Sequence, residues 1–146
     1  MKKSIVQGPI TPQKIADSIS HHQTKTTIGA HDIFLGQVRS DIISDKTVIG
    51  IDYSSYEAMA EKTFTQIRES AFEKFDITCA HIYHSSGIVR AGEICLFVFT
   101  SSKHRKMAFE SCRYIVEEIK LKVPIFGKEI FEDESYQWKI NTPLNK

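Results

Sequence analysis

Hydrophobic positions along this chain switch between helical and strand spacing, and the switches divide it into elements. Thr11 followed by Pro12 reads as an N-cap and first helical residue, and Ile15, Ala16 and Ile19 supply the apolar stripe of a short first helix. Ala30 to Val38 carries the continuous run Ile33-Phe34-Leu35, whereas Ile49, Ile51 and Tyr53 alternate with Gly50 and Asp52. Both patterns predict strands, the first the more buried. Between Ala58 and Lys74, the residues Ala60, Phe64, Ile67 and Ala71 fall at helical spacing among charged neighbours, which predicts a second, amphipathic helix. Ile77 to Tyr83 and Glu93 to Thr100 predict two further strands, joined as a meander through turns at Ser85-Ser86-Gly87 and Ala91-Gly92. Ser101 or Ser102 can cap a third helix, with Ala108, Ser111, Cys112, Ile115 and Ile119 on one face and an end before Pro124. Ile125 to Phe131 and Tyr136 to Ile140 flank Glu132-Asp133-Glu134-Ser135 as a C-terminal hairpin. Strands grouped between about three helices, rather than alternating strictly with them, predict an α+β fold.

No repeat, low-complexity tract or linker divides the sequence, so residues 1–146 are read as a single domain, with Ser40 to Thr47 and Glu132 to Ser135 as exposed loops. At 146 residues and 41% apolar composition, the chain can build a core without disulfides or metal. Lys plus Arg total 19 against 18 Asp plus Glu. The net charge of +1 gives no bulk field that favours a polyanion or an anionic membrane, so any anion site must be local. Cys79, Cys95 and Cys112 are odd in number and widely spaced, which argues against a disulfide framework and a zinc site and favours a reducing cytoplasm. The first nine residues lack an apolar signal core, and the longest apolar run, Ile94 to Phe99, is far too short to span a bilayer. The expectation is a cytoplasmic protein without membrane contact.

Three basic groups remain to be explained: Arg39 after a strand, Lys103-His104-Arg105-Lys106 at the start of the third helix, and Lys120, Lys122 and Lys128 around its end. Cations at a helix C-terminus complement the dipole, so Lys120 and Lys122 have an ordinary structural explanation. Cations at the N-terminus oppose it, and there the free N–H groups already attract anions. An anion site at His104 and Arg105 is therefore favoured over a merely solvated basic turn. No nucleophile elbow, phosphate-cradling loop, dinucleotide fingerprint or zinc-protease helix is present. His21 and His22 read as surface residues and no metal is assigned, because neighbouring helical residues diverge and no third ligand is near in sequence. Cys95 and Cys112 read as small core residues rather than nucleophiles. A nucleic-acid role for Tyr83, Phe97 and Phe99 ranks low, since alternating aromatics more often fill a core.

Several segments together resemble one known family. Gly29-Ala30-His31-Asp32-Ile33-Phe34-Leu35-Gly36-Gln37-Val38-Arg39 is similar to that family's Gly-Ala-x-x-x-Phe-x-Gly-x-Val-Arg strand. Tyr53 to Ala60 resembles its Tyr-Glu-x-Tyr-x-x-Met-Ala segment, with Ser54 in place of Glu. His84 to Gly87, Ser101 to Phe109, Lys120 and Pro124 recur in the family's order, so the resemblance, to the large, catalytic subunit of molybdopterin synthase, covers nearly the whole chain.

The resemblance implies a hammerhead-like α+β domain with a mostly antiparallel sheet. It also implies an activity: conversion of cyclic pyranopterin monophosphate into dithiolene-bearing molybdopterin. Both sulfurs would come from the thiocarboxylated C-terminal glycine of a small ubiquitin-like partner, in a heterotetramer built on a homodimer, with no cofactor. Lys120 would be catalytic. Gln37, Val38, Arg39, His104, Arg105, Gly127 and Glu129 would bind substrate, for which guanidinium groups and a positive helix end are suited.

The main departure is Pro124-Ile125-Phe126-Gly127-Lys128-Glu129, where Gly127 occupies the place of the family's second catalytic lysine. Lys128 is the neighbouring candidate for that role, but alternation along a strand denies it the same direction unless Gly127 permits a bulge. A homologue that binds the small partner without transferring sulfur is the alternative; retained activity is the favoured reading. One consequence needs no family. His104 and Lys120 are sixteen positions apart on one predicted helix, about 24 Å at the helical rise. If both ends serve one pocket, His104 and Arg105 must come from a second copy.

Overall fold

The computed structural model describes residues 3–140, which form one eight-stranded sheet with three helices. In chain order the elements are β1 (Ile5–Gln7), α1 (Pro12–His22), β2 (Ala30–Gln37), β3 (Ile42–Ile43), β4 (Lys46–Ser55), α2 (Glu57–Lys74), β5 (Cys79–Arg90), β6 (Ile94–Ser102), α3 (Arg105–Lys122), β7 (Ile125–Phe131) and β8 (Tyr136–Trp138). The sheet runs β2-β6-β5-β4-β7-β8; β1 joins β5 in parallel, and the other pairings are antiparallel. This is the α+β arrangement expected from the sequence. The expected single domain of residues 1–146 also takes in residues 1–2 and 141–146, which lie outside the described residues. Among the described residues, no helix is long and apolar enough to cross a membrane.

Burial on both faces of β6 explains its unbroken apolar run. Leu96 and Val98 face one way, into a cluster with Ala60, Phe64 and Ile67 of α2 and Cys112, Ile115 and Ile119 of α3. Phe97 and Phe99 face the other way, with Tyr83, Ile10 and the apolar stripe of α1. The three aromatics thus fill a core, as the sequence reading held. Phe64 is only 1% exposed, so Phe64→Ala should cost about 3–5 kcal/mol. Thr11 Oγ1 accepts the Lys14 N–H at 3.2 Å, which caps α1 as its sequence suggests.

Five local expectations are corrected. Ser85-Ser86-Gly87 is not a turn: β5 runs through it and changes partner, from β6 at Cys79–His84 to β4 at Gly87–Arg90. Gly87 adopts φ 83°, which lets the strand redirect without breaking. Ser101 and Ser102 belong to β6, and His104 is the N-cap residue of α3, without a side-chain cap bond. β2 is an edge strand, so Phe34 and Leu35 are exposed rather than deeply buried. Ile49 leaves the face shared by Ile51 and Tyr53, because the β4–β7 register shifts between Val48 and Gly50. Ser40 to Thr47 is not a simple loop but contains β3 and a tight turn in which Ser44 and Asp45 take positive φ.

Candidate active site

The C-terminal turn of α3 closes one side of a cavity of about 560 Å3 whose other walls come from β2, β4, β5, β6 and β7, with Lys139 just after β8. Strand ends and strand register set the walls. Gln37, Val38 and Arg39 arrive at the end of β2, while Tyr53 and Gly127 are register partners on β4 and β7. Phe34, Leu35 and Phe126, each more than a third exposed, add apolar surface.

Lys120 points into this space. Its side chain stays accessible from the cavity while protein surrounds most of the ammonium, and this burial lowers its pKa from the ordinary lysine value. The Cys95 thiol acts in the opposite sense, and the nearby Lys139 ammonium lowers the pKa further. His84, 4% exposed, donates its Nδ1 hydrogen to the Ser85 carbonyl at 2.8 Å, which leaves Nε2 as an acceptor. Burial pushes its pKa down to about 4 and Lys120 contributes in the same direction, so the ring is neutral at physiological pH. The Tyr53 phenol is held above its ordinary range by burial, then by Cys95 and Glu129, and keeps its proton. Cys95 lines the cavity but is 6% exposed, and its thiol faces the Gly36 carbonyl at 3.4 Å. The wall therefore offers cations and neutral hydrogen-bonding groups, which suits an anionic ligand.

Of the residues singled out in the sequence, Gln37, Val38, Arg39, Lys120 and Gly127 line this cavity. Arg39 is exposed and paired with Asp41 at 3.2 Å, so its guanidinium can leave that surface pair at little cost. His104 and Arg105 do not line it: they stand exposed at the far end of α3. Glu129 is buried behind the wall and accepts a hydrogen bond from Gln137 Nε2 at 3.2 Å. Lys128 is corrected most clearly. The β4–β7 register is regular at Gly127, with no bulge to re-aim Lys128. Its ammonium instead lies 4.4 Å from the Tyr136 ring and 5.4 Å from the Trp138 ring, away from the cavity.

Sequence reasoning missed Tyr53, His84 and Lys139 as cavity groups. Tyr53 and His84 fall inside the matched segments, but nothing in their spacing shows that the two rings meet at 5.1 Å. Lys139 had no signal, because its place depends on how β8 pairs with β7. His22, read as a surface residue, is 4% exposed and sits with Cys79 and His81, donor atoms of all three lying within 4.8 Å. The Nε2 atoms of His22 and His81 are 2.9 Å apart, and Lys25 Nζ approaches Cys79 Sγ at 3.0 Å. A metal ion held there would have to displace that ammonium. Burial lowers the pKa of His22, which favours its neutral form.

A family model described as MoaE protein matches residues 5–122. The molybdopterin synthase catalytic subunit of Pyrococcus abyssi is 37% identical over 137 residues, covering 94% of this chain and 90% of that protein. The subunit of the same name from Bacillus subtilis is 36% identical over 134 residues, covering 92% and 82%. Among solved structures, molybdopterin synthase from Staphylococcus aureus superposes with a TM-score of 0.82 at 32% identity, covering 96% of this chain and 98% of that one. A complex of subunits 1 and 2 of molybdopterin-converting factor from Helicobacter pylori shares the fold, with a TM-score of 0.78 at 21% identity, covering 92% and 88%.

Proposed function

This chain belongs to the MoaE family, and we propose that it is the catalytic subunit of a molybdopterin synthase, a sulfurtransferase of molybdenum cofactor biosynthesis. The observation that carries this reading is Lys120, desolvated in a cation-lined cavity large enough for a small anionic ligand. Cyclic pyranopterin monophosphate occupies the cavity, with Gln37, Val38 and Arg39 along one wall. A small ubiquitin-like subunit inserts its C-terminal tail past Phe34, Leu35 and Phe126, whose exposed apolar surface suits an extended, glycine-ended peptide. Each transfer breaks the C–S bond at the tail's acyl carbon and forms a C–S bond on the pterin side chain, where a C–O bond is broken and its oxygen leaves as water or with the phosphate. The acyl carbon takes an oxygen from water and ends as a carboxylate, without oxidant or reductant. Lys120 holds the negative charge that develops or moves the proton.

His104 and Arg105 complete the phosphate site of a second copy. They cannot reach the cavity of their own chain, because α3 places its two ends about 24 Å apart. The assembly is a homodimer that carries one small subunit on each protomer. A cytoplasmic setting suits the three buried free thiols. A role limited to partner binding is not favoured, since Lys120 keeps its place in the cavity and the relatives are catalytic subunits.

The test is a single-turnover reaction of this protein with cyclic pyranopterin monophosphate and a thiocarboxylated small subunit. Molybdopterin should form at two thiocarboxylates consumed per pterin. A stable complex that yields no dithiolene would leave only the binding role.

A further inference from the structure

Gly127 presents no side chain to the cavity wall, but the residue opposite it, just past the next strand, does. The β7–β8 ladder pairs Lys128 with Trp138, Glu129 with Gln137 and Ile130 with Tyr136, and one step further the Lys139 N–H donates to the Gly127 carbonyl at 2.7 Å. Lys139 therefore stands directly opposite Gly127, and residues opposite one another on paired strands share a face of the sheet. That face is the cavity, which Gly127 and Lys139 both line. Lys128 and Trp138, the adjacent pair, take the other face, where they make their cation–π contact. A Cβ added at Gly127 would lie 3.0 Å from Ile51 Cγ2, 3.4 Å from Tyr53 Cε1 and 3.7 Å from Lys139 Cβ. Position 127 is thus crowded by its neighbours, and the Lys139 stem runs beside it.

Two ammonium groups, Lys120 and Lys139, consequently face one cavity, close enough for the second to disfavour the charge on the first. Among the described residues neither has a carboxylate partner at ion-pair distance. Like charges gathered without a counter-ion cost stability, and an anion that enters between them recovers it.

We propose that Lys139, delivered by β8 opposite the side-chain-free Gly127, is the second cationic residue of the reaction cavity and contacts, with Lys120, the anionic group of the bound reactant. This inference rests on the sulfurtransferase reading. Two reactants carry such a group, the pterin through its phosphate and the small subunit through its thiocarboxylate.

Lysine acylation read by mass spectrometry separates these sources without any variant. Cyclic pyranopterin monophosphate alone, or thiocarboxylated small subunit alone, should protect Lys139 while leaving Lys128 labelled; the protecting reactant identifies the anion. In single-turnover sulfur transfer, Lys139→Met should be slowed at least about tenfold and Lys139→Arg should recover most of that loss. A Lys139→Met protein that turns over at the wild-type rate overturns the proposal. So does Lys139 labelling unchanged by both reactants. If the wild-type protein itself makes no molybdopterin, the sulfurtransferase reading fails instead, while protection by the pterin still reports an anion held at Lys139.

Discussion

The two ends of α3 carry similar charge and lie in opposite physical situations. At the N-terminal end, Lys103, His104, Arg105 and Lys106 are all exposed, so water screens them and their charge acts on whatever approaches. At the C-terminal end, Lys120 is exposed too, but toward a cavity that it shares with Lys139, neutral His84 and a protonated Tyr53, and the protein around it lowers its pKa. The difference teaches that the walls of a cavity, not charge alone, shift the protonation equilibria of the groups inside it, as at Lys120 and His84. The proposed division places proton or charge handling at Lys120 and anion capture at the basic start of the helix. The dipole makes the same division, since N-terminal cations are unfavourable until an anion arrives.

The sharpest way to break this contrast is Lys120→Ala. It should reduce dithiolene formation by roughly 10²–10³-fold with small-subunit binding intact, measured by single turnover and by titration of the complex. Unaltered turnover would remove Lys120 from the mechanism. Next, Arg105→Ala chains mixed with Lys120→Ala chains should regain activity that neither has alone. Random exchange leaves about a quarter of all sites with both residues, if each site draws one from each copy. No recovery in confirmed mixed dimers would confine each site to a single chain.

A third test is acid stability. The folded-state pKa of His84 is about 4, below its ordinary value of 6.5, so between these the unfolded chain binds the extra proton. Stability contributed by neutral His84 is complete above about pH 6.5 and is lost as pH falls toward 4, by up to about 3 kcal/mol. Denaturant titrations of the wild type and His84→Gln should converge in that window; parallel curves would mean that His84 titrates normally. The smallest expected effect is at Lys128, which the fold turns away from the cavity. Lys128→Met should cost no more than about 1 kcal/mol of stability through its lost ring contacts, with turnover retained. A large loss of turnover would return Lys128 to the site.

Much of the fold was legible because helix faces and strand alternation are local. Ala60, Phe64, Ile67 and Ala71 on α2, and Ala108, Ser111, Cys112, Ile115 and Ile119 on α3, are buried as their spacing predicts. Local rules failed where pairing intervened. Ser85-Ser86-Gly87 has turn composition but continues a strand, because β1 and β4 supply partners that no short window contains. Ile33-Phe34-Leu35 reads as a buried strand, yet being the sheet edge is a property of strand order. His22 lies at the end of an amphipathic helix, and its burial depends on His81, fifty-nine positions away.

The amino-acid order alone determined the helices, most of the strands, the α+β class, the family resemblance and the candidacy of Lys120, because each depends on residue type and spacing within a short stretch. Only the tertiary structure decided that Lys128 faces away, that Lys139 takes the cavity side opposite Gly127, and that the basic start of α3 lies outside its own pocket. Those outcomes follow from strand register and from the rigid length of a helix, which set direction and distance between residues that no local pattern relates.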